Sequence, residues 1–355
     1  MIVEANDLDG KAQGGERKAE PGLQSQSSDA IDYRASRIGR RRSWYGLKKH
    51  AKRFLSLRVP NVFLRGLLHF RPALRQTGRL PAPARIKEVE GQIQGARFVM
   101  LRPDRCVVAK ELYWGKGRRP KSEDDFALEL FATFARRSNV MLDIGAYTGI
   151  FTLVGTVVNP DLEAHAFEIV PEVYRALFEN CVRNGVLHRT TLHHVGVGNP
   201  DSVMKVPART AGSALPDFYS TGLHFDTGIL VRIRSLDSLA DLVPTGARVL
   251  VKVDVEGTEN EVFRHGQKFL TSFRPGILCE VLEGVAGVAE LEDLLAPHGY
   301  RFYLVRDADL LPAAHIEPDA NFRDWLFAEQ GPDELAAIGL ALAPQTAWKR
   351  QASNP

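Results

Sequence analysis

The sequence has few cysteines, and their spacing excludes the structures that cysteines usually support. Its 355 residues include three, Cys106, Cys181 and Cys279. They form no Cys-x-x-Cys pair, and no histidine stands near them at the spacing of metal ligands, so neither a zinc site nor a disulfide framework is expected. We interpret all three as reduced and structural.

Long apolar runs are also missing. Hydrophobic residues make up 44% of the chain, yet no stretch approaches the ~18 consecutive apolar residues of a membrane-spanning helix. The first residues are acidic and polar, where a secretory signal needs a positive start followed by an apolar run. The sequence therefore predicts a soluble, cytoplasmic protein.

Acidic residues are absent from one long segment. From Arg34 to Lys87 there are 16 Lys and Arg and no Asp or Glu, although the net charge of the chain is only +3. The rest of the chain is therefore acidic. Apolar residues recur at helical spacing in Trp44–Leu57, which predicts a basic amphipathic helix. Two interpretations remain: residues 44–58 bind an anionic membrane surface, at the inner membrane face, or the helix docks on its own acidic body.

The pattern along the chain predicts four regions. Residues 1–43 are polar and resemble a disordered tail, because they have too little apolar surface to bury. Residues 44–125 form a basic lead-in with the amphipathic helix and a small β element, a hairpin around Ala96–Tyr113. Residues 126–328 form the main domain, and residues 329–355 a C-terminal tail.

The main domain alternates strand-like and helix-like segments, which is typical of an open α/β sheet. It is preceded by a helix with an acidic start and a basic end, Asp124–Arg137. The predicted strands are Val140–Ile144, Ala164–Glu168, Thr190–Val195, Val249–Val255, Ile277–Val281, Phe302–Val305 and Trp325–Ala328. The predicted helices are Gly149–Val158, Pro171–Gly185, Thr258–Phe269 and Val288–His298.

The first strand of this domain ends in a glycine-rich turn, and the second ends in an acid. In Asp143-Ile144-Gly145-Ala146-Tyr147-Thr148-Gly149, two glycines allow close approach to a ligand before a helix begins. Glu168 stands where a carboxylate accepts hydrogen bonds from ribose hydroxyls. Tyr147 occupies the place of the second glycine of a dinucleotide fingerprint, which leaves little room for a pyrophosphate. These features favour S-adenosylmethionine over NAD.

Charged residues cluster at the end of the fourth strand. Lys252, Asp254 and Glu256 alternate, so they point to one face near the carboxyl end, where open sheets bind ligands. In one interpretation Asp254 is a general base and Glu256 holds the following loop. In the other the three residues form a structural ion-pair cluster with Glu259. Glu280 ends the next strand and is a candidate for orienting substrate.

The order of these motifs resembles the FkbM family of methyltransferases. The matching segments are VMLDIGAYTGIFTL, AFEIVPEVYRALFENCVRNGV, RSLDSLA, VLVKVDVEGTENEVFRHG and ILCEV. The resemblance implies a Rossmann-like class I methyltransferase, with a mostly parallel seven-stranded sheet whose last strand is antiparallel, here joined to a basic N-terminal extension. It implies S-adenosyl-L-methionine as cofactor, and O-methylation of sugars, polysaccharides or secondary metabolites.

The resemblance also assigns roles to residues. It places Asp143, Gly145, Ala146, Tyr147 and Gly149 around the methionine part of the cofactor, Glu168 at the ribose, and Val197 and Gly198 at the adenine. The chain departs from the family at Thr210–Ala214. The long glycine- and aromatic-rich stretch Asn199–Leu230 is expected to set acceptor specificity, with His224 as a candidate substrate contact.

Alternatives to this function remain at the level of sequence. They are an N-methyltransferase, a methyltransferase of lipid-linked sugars at the membrane surface, and an inactive cofactor-binding module that serves a partner. A nucleic-acid partner is not expected, because the positive charge lies outside the main domain. No resident metal is expected, because a Mg²⁺ site built on Asp254 and Glu280 has no clear third ligand.

Overall fold

A computed structural model of the chain describes residues 80–207, 215, 228–282 and 287–344. The predicted tail 1–43, the amphipathic helix near Trp44 and the candidate substrate residue His224 lie outside the described residues. Among the helices that are described, none has the length and hydrophobicity needed to span a membrane.

The described residues form thirteen strands and eight α-helices. The strands are β1 (Glu88–Ile93), β2 (Ala96–Leu101), β3 (Val140–Ile144), β4 (Glu163–Phe167), β5 (Thr190–His193), β6 (Gly196–Val197), β7 (Val203–Val206), β8 (Ile229–Arg234), β9 (Val249–Val253), β10 (Gly276–Glu280), β11 (Arg301–Val305), β12 (Leu310–Ala313) and β13 (Asp324–Ala328). The α-helices are α1 (Val107–Trp114), α2 (Ser122–Ala135), α3 (Ile150–Val158), α4 (Pro171–Arg183), α5 (Glu259–Arg264), α6 (Gln267–Phe273), α7 (Val288–Leu295) and α8 (Pro332–Ala337). Short 3₁₀ helices cover Leu187–Arg189, Asp237–Leu242 and Ala296–His298.

Eight of these strands form the central sheet, in the order β12-β11-β13-β10-β9-β3-β4-β5. The strands from β10 to β5 pair in parallel. Strand β13 is antiparallel to both of its neighbours, β10 and β11. The predicted α/β class and the antiparallel last strand are confirmed. The predicted count of seven strands was wrong, because the short strand β12 pairs with β11 and adds an edge.

Both faces of the sheet are covered, which explains why its central strands are apolar throughout. All residues of β3 and of β9 are buried, as expected for parallel strands between two helical layers. One hydrophobic cluster joins the sheet to helices α1–α4 and the β1–β2 hairpin. A second cluster joins its other face to helices α5–α7. Strands β6, β8 and β7 form a separate small sheet.

The segment before the main sheet differs from its prediction. The hairpin is β1–β2, with Gln94 and Gly95 at positive φ in its turn, and the second half of the predicted hairpin is helix α1. This helix buries Val108, Ala109 and Leu112, and the Cys106 sulfur accepts a hydrogen bond from the Ala109 amide as its N-cap. Burial at helical spacing therefore outweighs the strand propensity of the two valines at its start.

Two further boundaries differ. The predicted helix Thr258–Phe269 is two helices, α5 and α6, separated at His265–Gly266. A side chain at Gly266 would lie 2.6 Å from Leu236, so the chain turns where it packs closely on the preceding 3₁₀ segment. Strand β9 ends at Val253, two residues earlier than predicted, so Asp254 and Glu256 lie in the loop that follows it.

Candidate active site

A cavity of about 350 Å³ lies at the carboxyl ends of β3, β4, β9 and β10. This is the place where open α/β sheets bind their ligands. The structure brings together at this cavity most of the residues predicted from the sequence: Gly145, Ala146, Tyr147, Glu168, Val197, Lys252, Asp254, Glu256 and Glu280. Asp143, Gly149 and Gly198 do not line it.

The glycine-rich turn between β3 and α3 is packed directly against the end of β9. Gly145 has φ +79°, and a side chain on it would place a Cβ 1.8 Å from the carbonyl oxygen of Asp254. Gly149 has φ +88° and begins α3, and a Cβ there would lie 2.4 Å from Leu177. Both positions need glycine for conformation and for space. The predicted cofactor loop is thus in direct contact with the backbone of the predicted base, Asp254.

Asp143 has a different place from the one predicted. Its Oδ2 accepts hydrogen bonds from the amide (2.9 Å) and the hydroxyl (2.5 Å) of Thr152 on α3. Its Oδ1 is buried and has no hydrogen-bond partner among the described residues. Burial raises the pKa of Asp143 to about 6, although the two hydrogen bonds from Thr152 act to lower it. In this structure Asp143 holds the first turn of α3 behind the cavity.

Glu168 lies at the end of β4 and faces the cavity. Its Oε1 accepts a hydrogen bond from the Val170 amide at 2.7 Å, and the amides of Tyr147 and Ile169 also donate to its carboxylate. Burial nevertheless raises its pKa to about 8. The carboxylate is thus fixed by three amides and lines the same cavity as Asp254.

The predicted adenine edge is made by β6 and its neighbours. Val197 lines the cavity together with Val195 and Gly196. Gly198 does not line it, and its amide donates instead to the carbonyl of Arg234, at 2.8 Å. This side of the cavity is apolar, which suits the flat face of a purine better than a charged group.

Lys252 is buried near the end of β9 and lines the cavity. Its ammonium lies 3.5 Å from Asp254 Oδ2 and 3.5 Å from Asp324 Oδ1, and 5.2 Å from the centre of the Phe151 ring. Burial lowers the pKa of Lys252, but the carboxylates of Asp254, Asp324 and Glu280 outweigh it and raise the pKa above its usual range. Lys252 therefore stays charged and fixes the position of Asp254.

The charged residues at and after the end of β9 make two separate sets of contacts. Glu259 holds the loop after β9, because its Oε1 accepts hydrogen bonds from the amides of Gly257 (3.0 Å) and Val255 (3.3 Å). Lys252 pairs with Asp254, as the ion-pair interpretation expects, and its second ion-pair partner is Asp324. Glu256 has φ +56°, a left-handed conformation that turns the chain after β9.

Three carboxylates converge on one point of the cavity. Asp254, Glu256 and Glu280 each offer an oxygen, and these oxygens lie within 4.8 Å of one another. Glu280 also pairs with Arg323 at 2.9 Å. Burial raises the pKa of Glu280 to about 9, helped by the charge of Asp254 and opposed by Arg323. The group could hold a cation, and Glu256 supplies the third carboxylate that the sequence alone did not show.

One whole wall of the cavity has no recognisable signal in the sequence. The wall is formed by the segment from α1 to α2 and by the start of β13. Its charged residues are Glu111, Arg119, Lys121, Asp124, Arg323 and Asp324. The acids at the start of α2 resemble ordinary helix-terminus charges, so only the topology reveals that they face the site.

Comparisons with known proteins agree with the geometry. Residues 143–302 match the family model described as the methyltransferase FkbM domain. Over 205 residues the chain is 26% identical to the 31-O-demethyl-FK506 methyltransferase FkbM of Streptomyces tacrolimicus, a match that covers 48% of this chain and 76% of that protein.

Solved structures of low similarity were also found. The methyltransferase FkbM from Methylobacillus flagellatus KT is 19% identical, with a TM-score of 0.36, over 54% of this chain and 43% of that one. The O-methyltransferase TomG from Streptomyces achromogenes, solved with SAM, is 16% identical, with a TM-score of 0.36, over 59% of this chain and 79% of that one.

The family match begins at Asp143 and includes the glycine-rich turn, Glu168 and the Lys252–Glu256 segment. These are the residues that the structure gathers around one cavity, with the exception of Asp143, which lies behind it. Residues 143–302 match the methyltransferase FkbM domain, and the protein is an S-adenosylmethionine-dependent methyltransferase.

Proposed function

We propose that this methyltransferase methylates a hydroxyl group of a sugar, a polysaccharide or a secondary metabolite, with Asp254 as the general base. The observation that carries the proposal is the position of Asp254. Its side chain is 34% exposed and lines the cavity, and its own backbone packs against the glycine turn at Gly145. A carboxylate here is beside any methyl group that the turn presents.

The chemistry follows from these positions. When bound, S-adenosylmethionine supplies an electrophilic methyl group on a sulfonium. With the glycine turn and Glu168 holding the cofactor, the acceptor oxygen would be able to attack that carbon in line while the carbon–sulfur electron pair leaves on sulfur, and Asp254 would accept the hydroxyl proton. Alignment can lower the barrier by up to ~7–11 kcal/mol, and a general base adds about 10²–10⁴-fold.

Other residues at the site support this role of Asp254. The Lys252 ammonium pairs with the Asp254 carboxylate at 3.5 Å, and it also pairs with the Asp324 carboxylate at 3.5 Å. Glu280, buried beside Arg323, is positioned to accept a hydrogen bond from a second hydroxyl of the acceptor. A polyhydroxylated acceptor would use both carboxylates, which favours a sugar or sugar-like ring over a hydrocarbon.

The experiment is methyl transfer from isotopically labelled S-adenosylmethionine to a panel of neutral glycosides, hydroxylated ring compounds and amines. We expect labelled ethers and no labelled amines. In the variant Asp254→Asn, kcat falls by about 10²–10⁴-fold, while the Kd for S-adenosylmethionine stays within about threefold. Label on amines alone would establish the N-methyltransferase alternative, and cofactor binding without any product would favour the inactive module.

Asp324→Asn is the matched control. It removes the other carboxylate that pairs with Lys252, at the same 3.5 Å distance, yet leaves Asp254 in place. If kcat falls equally in the two variants, the role of Asp254 is to balance the charge of Lys252 and it is not the base.

A further inference from the structure

The amino-acid end of the cofactor carries an ammonium and a carboxylate, and the residues assigned to it by family resemblance do not provide for both. Among them only Asp143 is charged, and Asp143 is bound to Thr152 and does not line the cavity. The other four are Gly145, Ala146, Tyr147 and Gly149, which offer no charged group. A zwitterion needs a cation with acids beside it, so these charges must come from elsewhere.

The wall formed by α1 and α2 has such a group. The Arg119 Nη2 lies 2.8 Å from Glu111 Oε2 and 3.0 Å from Asp124 Oδ2. All three side chains are largely buried, with 13–14% of their surface exposed, and all three line the cavity. The guanidinium is not saturated by these two acids, because its buried Nε has no hydrogen-bond partner in the described part of the chain.

This group is close to the glycine-rich turn. The Cys106 sulfur, at the N-cap of α1, lies 3.2 Å from the Thr148 hydroxyl in that turn. The carboxylate of Asp324, at the start of β13, also helps to keep Arg119 charged, since it raises the pKa of Arg119 against the effect of burial. The Arg119 amide donates to Asp125 Oδ1 at 3.0 Å, which fixes the backbone of the residue. The α1 N-cap thus joins the wall that carries the three side chains to the glycine-rich turn.

We propose that Glu111, Arg119 and Asp124 bind the amino-acid end of S-adenosylmethionine, Arg119 taking its carboxylate and the two acids its ammonium. A guanidinium binds carboxylates through two parallel hydrogen bonds, which a lysine cannot do. The proposal rests on the cofactor and not on the acceptor. It assigns cofactor binding to a segment that precedes the family-matched residues 143–302.

Calorimetry with three ligands separates the two charges. S-adenosylmethionine carries the carboxylate and the ammonium of the amino-acid end. Decarboxylated S-adenosylmethionine lacks the carboxylate but keeps the ammonium and the sulfonium, and 5′-methylthioadenosine lacks the carboxylate, the ammonium and the sulfonium. In Arg119→Gln we expect at least a tenfold loss of affinity for the first ligand and less than a threefold loss for the other two. In Glu111→Gln we expect the first two ligands to weaken and 5′-methylthioadenosine to bind as before.

Arg105→Gln is the control variant, because Arg105 lies just before α1, pairs with Glu172 of α4 and does not line the cavity. Its ligand preferences are expected to match the wild type. Thermal unfolding shows whether each variant folds, and if Arg119→Gln does not, Arg119→Lys replaces it, with an intermediate loss for the first ligand only. Equal weakening of all three ligands overturns the proposal. If the variants bind all three ligands as the wild type does but have a raised KM for the acceptor, the proposal is also overturned. That result would mean that the wall formed by α1 and α2 binds the acceptor.

Discussion

At the scale of single residues, Asp143 and Thr152 form a pair whose strength depends on charge. The Thr152 hydroxyl donates to a carboxylate that is buried and has a pKa of about 6. In Thr152→Val this donor is lost, at a cost of about 1.5–3 kcal/mol in the free energy of unfolding when the carboxylate is ionised. We expect the full cost at pH 8 and a smaller one at pH 5, where Asp143 is protonated, in urea denaturation at both pH values.

Thr156→Val is the control for that pair. Thr156 lies one turn further along α3, and its hydroxyl donates only to the backbone carbonyls of Thr152 and Leu153. Its loss is expected to cost about 1 kcal/mol at either pH. A pH-independent cost in Thr152→Val would mean that Asp143 keeps its charge state over this range.

Glu168 gives the second prediction at this scale, for cofactor binding. Its carboxyl is protonated below a pKa of about 8 because of burial, and the ionised form accepts ribose hydroxyl bonds more strongly than the neutral form. We therefore expect affinity for S-adenosylhomocysteine to rise from pH 6.5 to pH 9, with proton release on binding. Calorimetry in buffers of different ionisation enthalpy measures both quantities. In Glu168→Gln the rise should disappear, and a wild-type affinity that is flat or falls with pH would contradict this role.

At the scale of elements, the contact between the glycine turn and the end of β9 is the point on which the site depends. In Gly145→Ala the new methyl group would clash with the Asp254 carbonyl, at a φ of +79°. We expect a loss of at least about 3 kcal/mol in unfolding free energy and weakened cofactor binding. Gly246→Ala isolates the backbone contribution, because φ is +77° there and nothing lies within 4 Å. It is expected to cost about 1–2 kcal/mol, and equal costs would argue against the close contact.

The elements of the main domain could be predicted from the sequence because each strand is a short apolar run, with a turn or helix signal on either side. Local signals did not show that β12 adds an edge strand, because β12 is only four residues long and its place in the sheet depends on its pairing with β11. The hairpin prediction failed at Val107–Trp114 for a related reason, because burial against the sheet decides whether a short apolar segment is helix or strand.

The candidate site was predictable where one strand end carries its own signal, as at Glu168 and Asp254. It was not predictable where charges from distant segments meet. Arg119 and Arg323 are separated by about 200 residues in the sequence, and both line one cavity. Only the position of β13 between β10 and β11 brings Arg323 and Asp324 beside Glu280 and Lys252.

At the scale of the whole molecule, buried carboxylates set the pH dependence of stability. Burial is the main cause that raises the pKa values of Asp143, Glu168 and Glu280, to about 6, 8 and 9. In the unfolded chain such groups titrate near 4. At a pH between the unfolded pKa of such a group and its raised pKa in the folded protein, the folded protein binds more protons than the unfolded chain. The free energy of unfolding therefore falls as pH rises through this range. Burial also lowers the pKa values of three described histidines, His165, His193 and His298, and these do not oppose the trend well above pH 6.5, where they are neutral in both states.

We therefore expect the Tm of the ligand-free protein to decrease steadily from pH 6.5 to pH 9 in scanning calorimetry. In Glu280→Gln the upper part of this decrease should be smaller, since the group with the highest of the three pKa values no longer titrates. S-adenosylmethionine should reduce the decrease in the wild type, because its positive charges favour the ionised carboxylates that line the cavity. A Tm that is constant or rises over this range would mean that these carboxylates are already ionised in the folded protein, and that the cavity is negatively charged before the cofactor binds.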